Sequence, residues 1–444
     1  MLLLLPRYVG DPFVDSGVAV LENRIQKDCA DFSDADLAVQ ADELERIYAN
    51  KAWIGYLTVH FPNSGWCNAT TGEDKKRAFR EKVLRSHDAP VIEDRVCTYC
   101  RRSAQHLADR SMIPLLTGET TMTCSPGGLP GLPVCGACLG AIQFYPLAAQ
   151  KIAGKPLFWW IPQSEWMYSL TQDFSSQLAR MMQGQPDKLE SIKFPHTRLL
   201  ESLERVLEKV DPELPAQDLM ACHATNYGSG PDYDEIRVPT QTIRFLRQAR
   251  RYPAFSVLLA EAREKSKAKK GEPAELVTLG RNFFYEGLLA YERGSNPQAL
   301  RGLLKRHFIP LVRNREQGAM ELTKLFCREI LQMDQTQLNA IFSLADQIAG
   351  SGKAAKHLDR LFKANSTYQV IRTLTEIAIR MKNGGESPLT TSVVLEAFGL
   401  ATEDDQPNRD ALTAHQLLLL RLIEQLPTDR LPEPDQIEAA KKEE

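Results

Sequence analysis

Four of the nine cysteines in this chain stand as two CxxC pairs, Cys97-Thr98-Tyr99-Cys100 and Cys135-Gly136-Ala137-Cys138. A CxxC turn directs two thiolates to one side, and two such turns supply the four ligands of a tetrahedral zinc ion. Glycine lets backbone amides approach sulfur closely, so Gly136 and Gly140 mark the second pair as the better knuckle. The spacing predicts a structural Zn2+ on Cys97, Cys100, Cys135 and Cys138. The 34 residues between the pairs exceed the spacer of a compact zinc ribbon, which leaves reduced core thiols as the alternative. A redox role fits less well, because a thioredoxin-like site uses one CxxC in a βαβ context. Four thiolates close the metal shell and leave no position for substrate, so the cluster reads as an inert staple. The scattered Cys29, Cys67, Cys124, Cys222 and Cys327 read as buried thiols.

The order CTYC, RSMIPL, PVCGAC resembles the zinc-bearing HNH nucleases, which place a DHxxP-like motif between two CxxC pairs. In those enzymes a histidine activates water beside a catalytic divalent ion. Here the matching stretch is Arg110-Ser111-Met112-Ile113-Pro114, so both the acid and the histidine are missing, and His106 is out of register. No Walker loop, GxGxxG, HExxH or GxSxG occurs, and the eight histidines form no metal-spaced pair. The expectation is a protein without catalysis of its own.

Charge supplies the other chemistry. The net charge is only −3, yet residues 244–315 carry 16 Lys or Arg against 6 acids, while residues 401–444 carry 11 acids against 5 bases. Arg244, Arg247, Arg250 and Arg251 recur at helical spacing. Arg301, Lys305 and Arg306 form a second group, and Lys75, Lys76 and Arg77, with Arg80, Lys82 and Arg85, a third. Such groups can track a phosphate backbone with little dependence on base sequence. The competing reading of each is a solvated face of intramolecular ion pairs.

These residues need a scaffold. At 444 residues the chain is long enough for two or three domains. The expected class is α+β: a mixed N-terminal part over 1–95, a four-cysteine element over 96–140, a mainly helical region over 141–317, and a helical bundle over 318–444. GVAVL and WIGYLTVHF read as strands or buried elements, DLAVQADELERIYANK as a helix and FPNSGWCNATTGE as a loop. The aromatic stretch from Phe158 to Leu170 reads as buried. NYGSGPDYDE and the lysine-rich SKAKKGEP read as loops, and EAAKKEE as a frayed end. In the last 125 residues, Leu338, Ile341, Phe342, Ala345 and Ile348 form one apolar face, and Val370, Ile371, Leu374, Ile377, Ala378 and Met381 another. With LTAHQLLLLRLIEQL they predict a bundle of four or five helices. The opening MLLLLPRY is too short an apolar run for a signal peptide or a span, so the expected setting is cytoplasmic, with no membrane partner.

MLLLLPRYVGDPFVDSGVAVL, the CTYC and CGAC pairs, the following FWW and the helical C-terminus together resemble the CRISPR-associated CXXC-CXXC family. That family is the large subunit of type I-B Cascade, the RNA-guided DNA-recognition complex. The resemblance covers most of the chain, and the cysteine pairs and GDPFVDSG are its sharp parts. It implies partners: guide RNA, the other Cascade subunits, target double-stranded DNA, and a helicase-nuclease or transposon targeting proteins. It also implies recognition of the motif flanking the target and retention of the displaced strand. Asn63, Ser64, Trp66 and Asn68 are then candidates for motif reading, with amides and hydroxyls facing base edges and the indole as a wedge. Asn226, in Asn226-Tyr227-Gly228-Ser229-Gly230, is a second candidate. The basic groups suit displaced-strand phosphates. Small subunits of such systems can arise from an internal start, and Met320 opens a 125-residue helical product.

Overall fold

The computed structural model describes residues 8–68, 71–85, 89–116, 131–162, 164–183, 193–225, 232–264, 280–290, 300, 302–399, 411–427 and 431. The chain divides into two compact units, Met1–Thr240 and Gln241–Glu444. The expected division at 317/318 is therefore not where the fold parts: residues 241–317 belong with the C-terminal helices.

The N-terminal unit opens with α1 (Pro12–Ile25), α2 (Asp34–Tyr48), α3 (Lys51–Leu57) and α4 (Glu73–Leu84). Asp11 starts α1 by accepting from the amides of Phe13 (3.0 Å) and Val14 (2.9 Å), with Pro12 at the first helical position. Ser33 and Asp36 make a reciprocal capping box at the start of α2. Of the two readings of GVAVL and WIGYLTVHF, strands or buried elements, the second holds: both are largely buried and lie largely in helices, α1 and α3. Every residue from Phe13 to Leu21 is buried, so this run of α1 is enclosed on all faces and GVAVL carries no 3.6-residue period to tell helix from strand.

A short hairpin of β1 (His106–Ala108) and β2 (Leu132–Val134) precedes α5 (Gly136–Phe144). Four antiparallel strands follow: β3 (Gln150–Ile152), β4 (Lys155–Trp160), β5 (Leu219–Thr225) and β6 (Asp232–Val238), in that spatial order. Between β4 and β5 run α6 (Ser164–Gln183) and α7 (Pro195–Leu207). The α+β class holds, but the region expected to be mainly helical contains this sheet. Alternation could not announce β5, whose side chains are nearly all buried. One core joins α1, α5, the cysteine cluster and Phe158 of β4.

The C-terminal unit is helical. Helices Thr240–Ala249, Pro253–Glu261 and Phe283–Ala290 bring Phe245, Phe255 and Phe284 together, and Phe245, Phe284 and Phe308 all surround Phe326 at 5.7, 6.1 and 4.8 Å between centroids. Beyond residue 318 there are six helices among the described residues: Ala319–Glu329, Gln335–Ala349, Ala354–Phe362, Thr367–Asn383, Thr391–Ala397 and Ala411–Gln425. Leu338, Ile341, Ala345 and Ile348 form a buried face as expected, and so do Val370, Leu374, Ile377 and Met381. Phe342 is only half-buried and lies under Lys324 (4.6 Å) and Arg421 (5.7 Å). Among the described residues no helix is long and apolar enough to cross a membrane.

Candidate metal centre

The hairpin β1–β2 brings the two cysteine pairs together. His106 pairs with Val134 and Ala108 with Leu132, so the residue after β2, Cys135, comes beside the turn that precedes β1. Thr98 N donates to Pro133 O (2.9 Å), Gln105 N to Val134 O (2.9 Å), and Gly136 N to Gln105 Oε1 (2.8 Å). These bonds fix the first pair against the second across a long sequence gap. Cys97 O accepts from Arg101 N (3.0 Å) and Cys97 N donates to Arg102 O (2.6 Å), which closes the first knuckle. Arg101 takes the left-handed region, φ 64°, an uncommon conformation for a residue with a side chain.

In the second knuckle Cys135 caps α5, its Sγ lying 3.5 Å from Cys138 N. Neither Gly136 nor Gly140 has a positive φ. The expectation that glycine geometry makes this the special knuckle is corrected, since the turn there is simply the first turn of a helix. The left-handed residue sits in the other pair.

The sulfurs of Cys97, Cys100, Cys135 and Cys138 all lie within 4.8 Å of one another, and Cys100 and Cys135 are 3.5 Å apart. A tetrahedral ion with metal–sulfur bonds of about 2.3 Å needs sulfurs about 3.8 Å apart. The four-cysteine group is positioned to hold a metal ion. Cys97, Cys135 and Cys138 are buried and Cys100 is half-buried. Hydrogen bonds among the sulfurs separate their acidities. Cys97 is lowered, first by Cys100, and Cys100 is brought to about 7, first by Cys135. Cys135 and Cys138 are raised, each first by its bond with Cys100. Four thiolates this close would repel one another, and a bound cation would offset that repulsion.

Around the cluster stand Tyr99, whose hydroxyl is raised first by burial and then by Asp11, and Asp11 itself, raised to about 6 by burial. Asp11 is spent on capping α1 and lies outside the group within ligand reach. Asp15 accepts from Val9 N, Gly10 N and Trp160 Nε1 at 2.9, 3.1 and 3.0 Å. The acids of GDPFVDSG thus begin a helix and tie it to β4. The stretch matched to the nuclease motif is structural as well: Asp109 Oδ1 accepts from Ser111 N (2.8 Å) and Oγ (2.6 Å), and Met112 and Ile113 are buried.

The remaining candidates fall in several places. Asn63 is exposed in a left-handed turn (φ 65°) and Asn68 is half-buried. Ser64 and Trp66 are core residues, which corrects their assignment to base reading. Trp66 is 5% exposed, donates from Nε1 to Gln143 Oε1 (3.0 Å) and meets Tyr48 edge-on at 5.0 Å. Its indole is consumed by packing. Asn226 and Arg301 lie outside the described residues, as do Cys124, the first seven residues, SKAKKGEP and EAAKKEE. On α4 the ion-pair reading prevails: Lys76 bonds Glu73 (2.7 Å), Arg77 bonds Asp74 (3.2 Å) and Arg80 bonds Glu45 (3.1 Å), leaving Lys75 exposed. In the C-terminal unit, Arg244, Arg250, Arg251 and Arg306 are exposed, whereas Arg247 and Lys305 are half-buried. The helix ends at Ala249, so Arg250 and Arg251 project from the turn beyond it. Cys29, Cys222 and Cys327 are buried, and Cys67 is half-buried. Comparison with family models, with curated proteins and with solved structures finds no match.

Proposed function

We propose that this chain is a non-catalytic, zinc-stapled subunit of an RNA-guided DNA-recognition complex, of the type I-B Cascade large-subunit kind. Zinc is the ion proposed for the cluster, because four thiolates in tetrahedral reach suit it best and close its shell. The observation that carries the nucleic-acid reading is the arginine group on the C-terminal unit. Helix Thr240–Ala249 buries Ile243, Phe245 and Leu246, while Arg244, Arg250, Arg251 and Arg306 are exposed and form no ion pair among the described residues. Exposed cations without acidic partners suit phosphate binding. In this role the chain recognises the motif flanking the target, aids duplex opening, holds the displaced strand and docks a helicase-nuclease or transposition proteins. Its partners are guide RNA, the other subunits and target double-stranded DNA.

The test is co-expression with the neighbouring genes, followed by affinity purification and analysis for RNA, subunits and metal. A multisubunit assembly holding a guide-length RNA supports the reading. In that assembly Arg250→Gln with Arg251→Gln should weaken target binding for every flanking motif alike and flatten its salt dependence by about 0.7–0.9 for each phosphate no longer neutralised. An assembly free of nucleic acid would favour a zinc-stabilised protein adaptor instead, and magnesium-dependent cleavage by the purified chain would favour an HNH-like nuclease.

A further inference from the structure

In the C-terminal unit, Lys353, Lys356, His357, Arg360, Arg380 and Asn383 line a cavity of about 240 Å³. Lys353 immediately precedes helix Ala354–Phe362, and Arg380 and Asn383 come from the end of helix Thr367–Asn383. The acids of these two helices are engaged elsewhere: Asp359 with Lys363 (2.8 Å) and Glu376 with Arg372 (3.2 Å). Glu386, the acid that acts on His357, accepts from Gly352 N at 3.0 Å. Lys353, Lys356, Arg360 and Arg380 form no ion pair among the described residues. Four cations therefore converge on one hollow, where Glu386 is the one acid among the described residues that acts on His357.

Among the described residues, two buried atoms there lack a partner. His357 is 3% exposed, and its Nδ1 makes no hydrogen bond; neither does the buried Nη1 of Arg360. Native folds rarely leave such groups unsatisfied. An anion in the cavity would accept from both and would neutralise the lysines at the rim.

We infer that this cavity is an anion site that receives a phosphate group of a nucleic-acid strand. The volume is below the roughly 300–1,000 Å³ of small-molecule sites, which suits a single group better than a whole cofactor. Two guanidinium forks and two ammonium groups match the several oxygens of a phosphate better than one carboxylate. Lys353, Lys356, Arg380 and Asn383 are exposed, so a strand can pass over the mouth while one phosphate enters. The choice of a strand as the source of that phosphate rests on the nucleic-acid reading above.

The experiment uses the full metal-loaded chain, a labelled single-stranded oligonucleotide of about 20 nucleotides, and inorganic phosphate as a second probe. Arg360→Gln with Arg380→Gln should weaken oligonucleotide binding severalfold and reduce its salt slope by about 0.7 for each phosphate left unneutralised. Phosphate should raise the melting temperature of the wild type and not of the variant. Should that pair fail to fold, Lys353→Gln with Lys356→Gln, both at exposed positions, carries the same test. Wild-type affinity and slope in a folded variant would overturn the inference. Protection by phosphate with unchanged oligonucleotide binding would overturn the assignment to a nucleic-acid strand. If neither the wild type nor the Arg250→Gln, Arg251→Gln chain binds oligonucleotide, the wider reading has failed along with this one. If the Arg250→Gln, Arg251→Gln chain loses binding while the folded cavity variant binds as the wild type does, the cavity alone is misassigned.

Discussion

Gly17 of α1 packs directly on the backbone carbonyl of Ala141 in α5: a Cβ at Gly17 would lie 2.5 Å from the Ala141 carbonyl carbon and closer still to its oxygen. Helix α5 also carries Cys138, so this crossing sets the cysteine cluster against the first helix. Gly17→Ala should destabilise the N-terminal unit by about 1–3 kcal/mol through overpacking against backbone that cannot move aside. Gly55→Ala is the control, since Gly55 in α3 has open space around it and alanine favours a helix. Equal melting temperatures for the two variants would refute the close-packing account.

The cysteine cluster should hold about one metal ion per chain. Cys138→Ser or a strong chelator should release it and lower the melting temperature by more than any surface substitution, because ion and core are continuous. Elemental analysis together with thermal melts decides this. A metal-free protein of unchanged stability would show instead that the four sulfurs are ordinary core thiols.

The loop 61–68 separates into a packed part and an exposed one. Trp66→Ala should cost about 3–5 kcal/mol, the range for deleting a buried aromatic, whereas Asn63→Ala should leave stability nearly unchanged. In a reconstituted complex, unaltered preference among flanking sequences in Asn63→Ala would remove Asn63 from motif reading.

His415 is buried in helix Ala411–Gln425, its Nε2 2.9 Å from Leu361 O, and burial lowers it to about 4. A free histidine titrates near 6.5, so between these values the unfolded chain binds the proton and the folded chain does not. The neutral imidazole's contribution is complete above pH about 6.5 and declines as pH falls toward about 4, by about 3 kcal/mol over that window. Denaturation curves of the C-terminal unit should show this slope, and His415→Gln should flatten it. An identical slope in the variant would locate the effect elsewhere.

Met320 is 3% exposed and opens the helix that presents Phe326 to Phe245, Phe284 and Phe308. A fragment beginning there lacks all three rings. Produced alone, residues 320–444 should unfold at lower denaturant than residues 241–444 and expose apolar surface to a hydrophobic dye. Comparable cooperative unfolding of the two fragments would restore the boundary near 318.

Local chemistry made part of this molecule legible in its sequence. The four ligands could be named from spacing alone, because CxxC is a local geometry. Helix α2 and the faces around Ile341 and Leu374 followed from 3.6-residue periodicity. What the tertiary structure decided was whatever depends on which surfaces meet. Helix α1 and strand β5 are buried on nearly all sides, which erases the periodicity that would identify them. Trp66 reads as a free aromatic in the sequence, and only the fold surrounds it with Gln143 and Tyr48. Lys76, Arg77 and Arg80 of α4 are paired within the fold, while Lys353, Lys356, His357 and Arg360 stand at i, i+3, i+4 and i+7 and become a cavity only when the next helix brings Arg380. Spacing fixes which side chains share a face, but only packing determines what that face encounters.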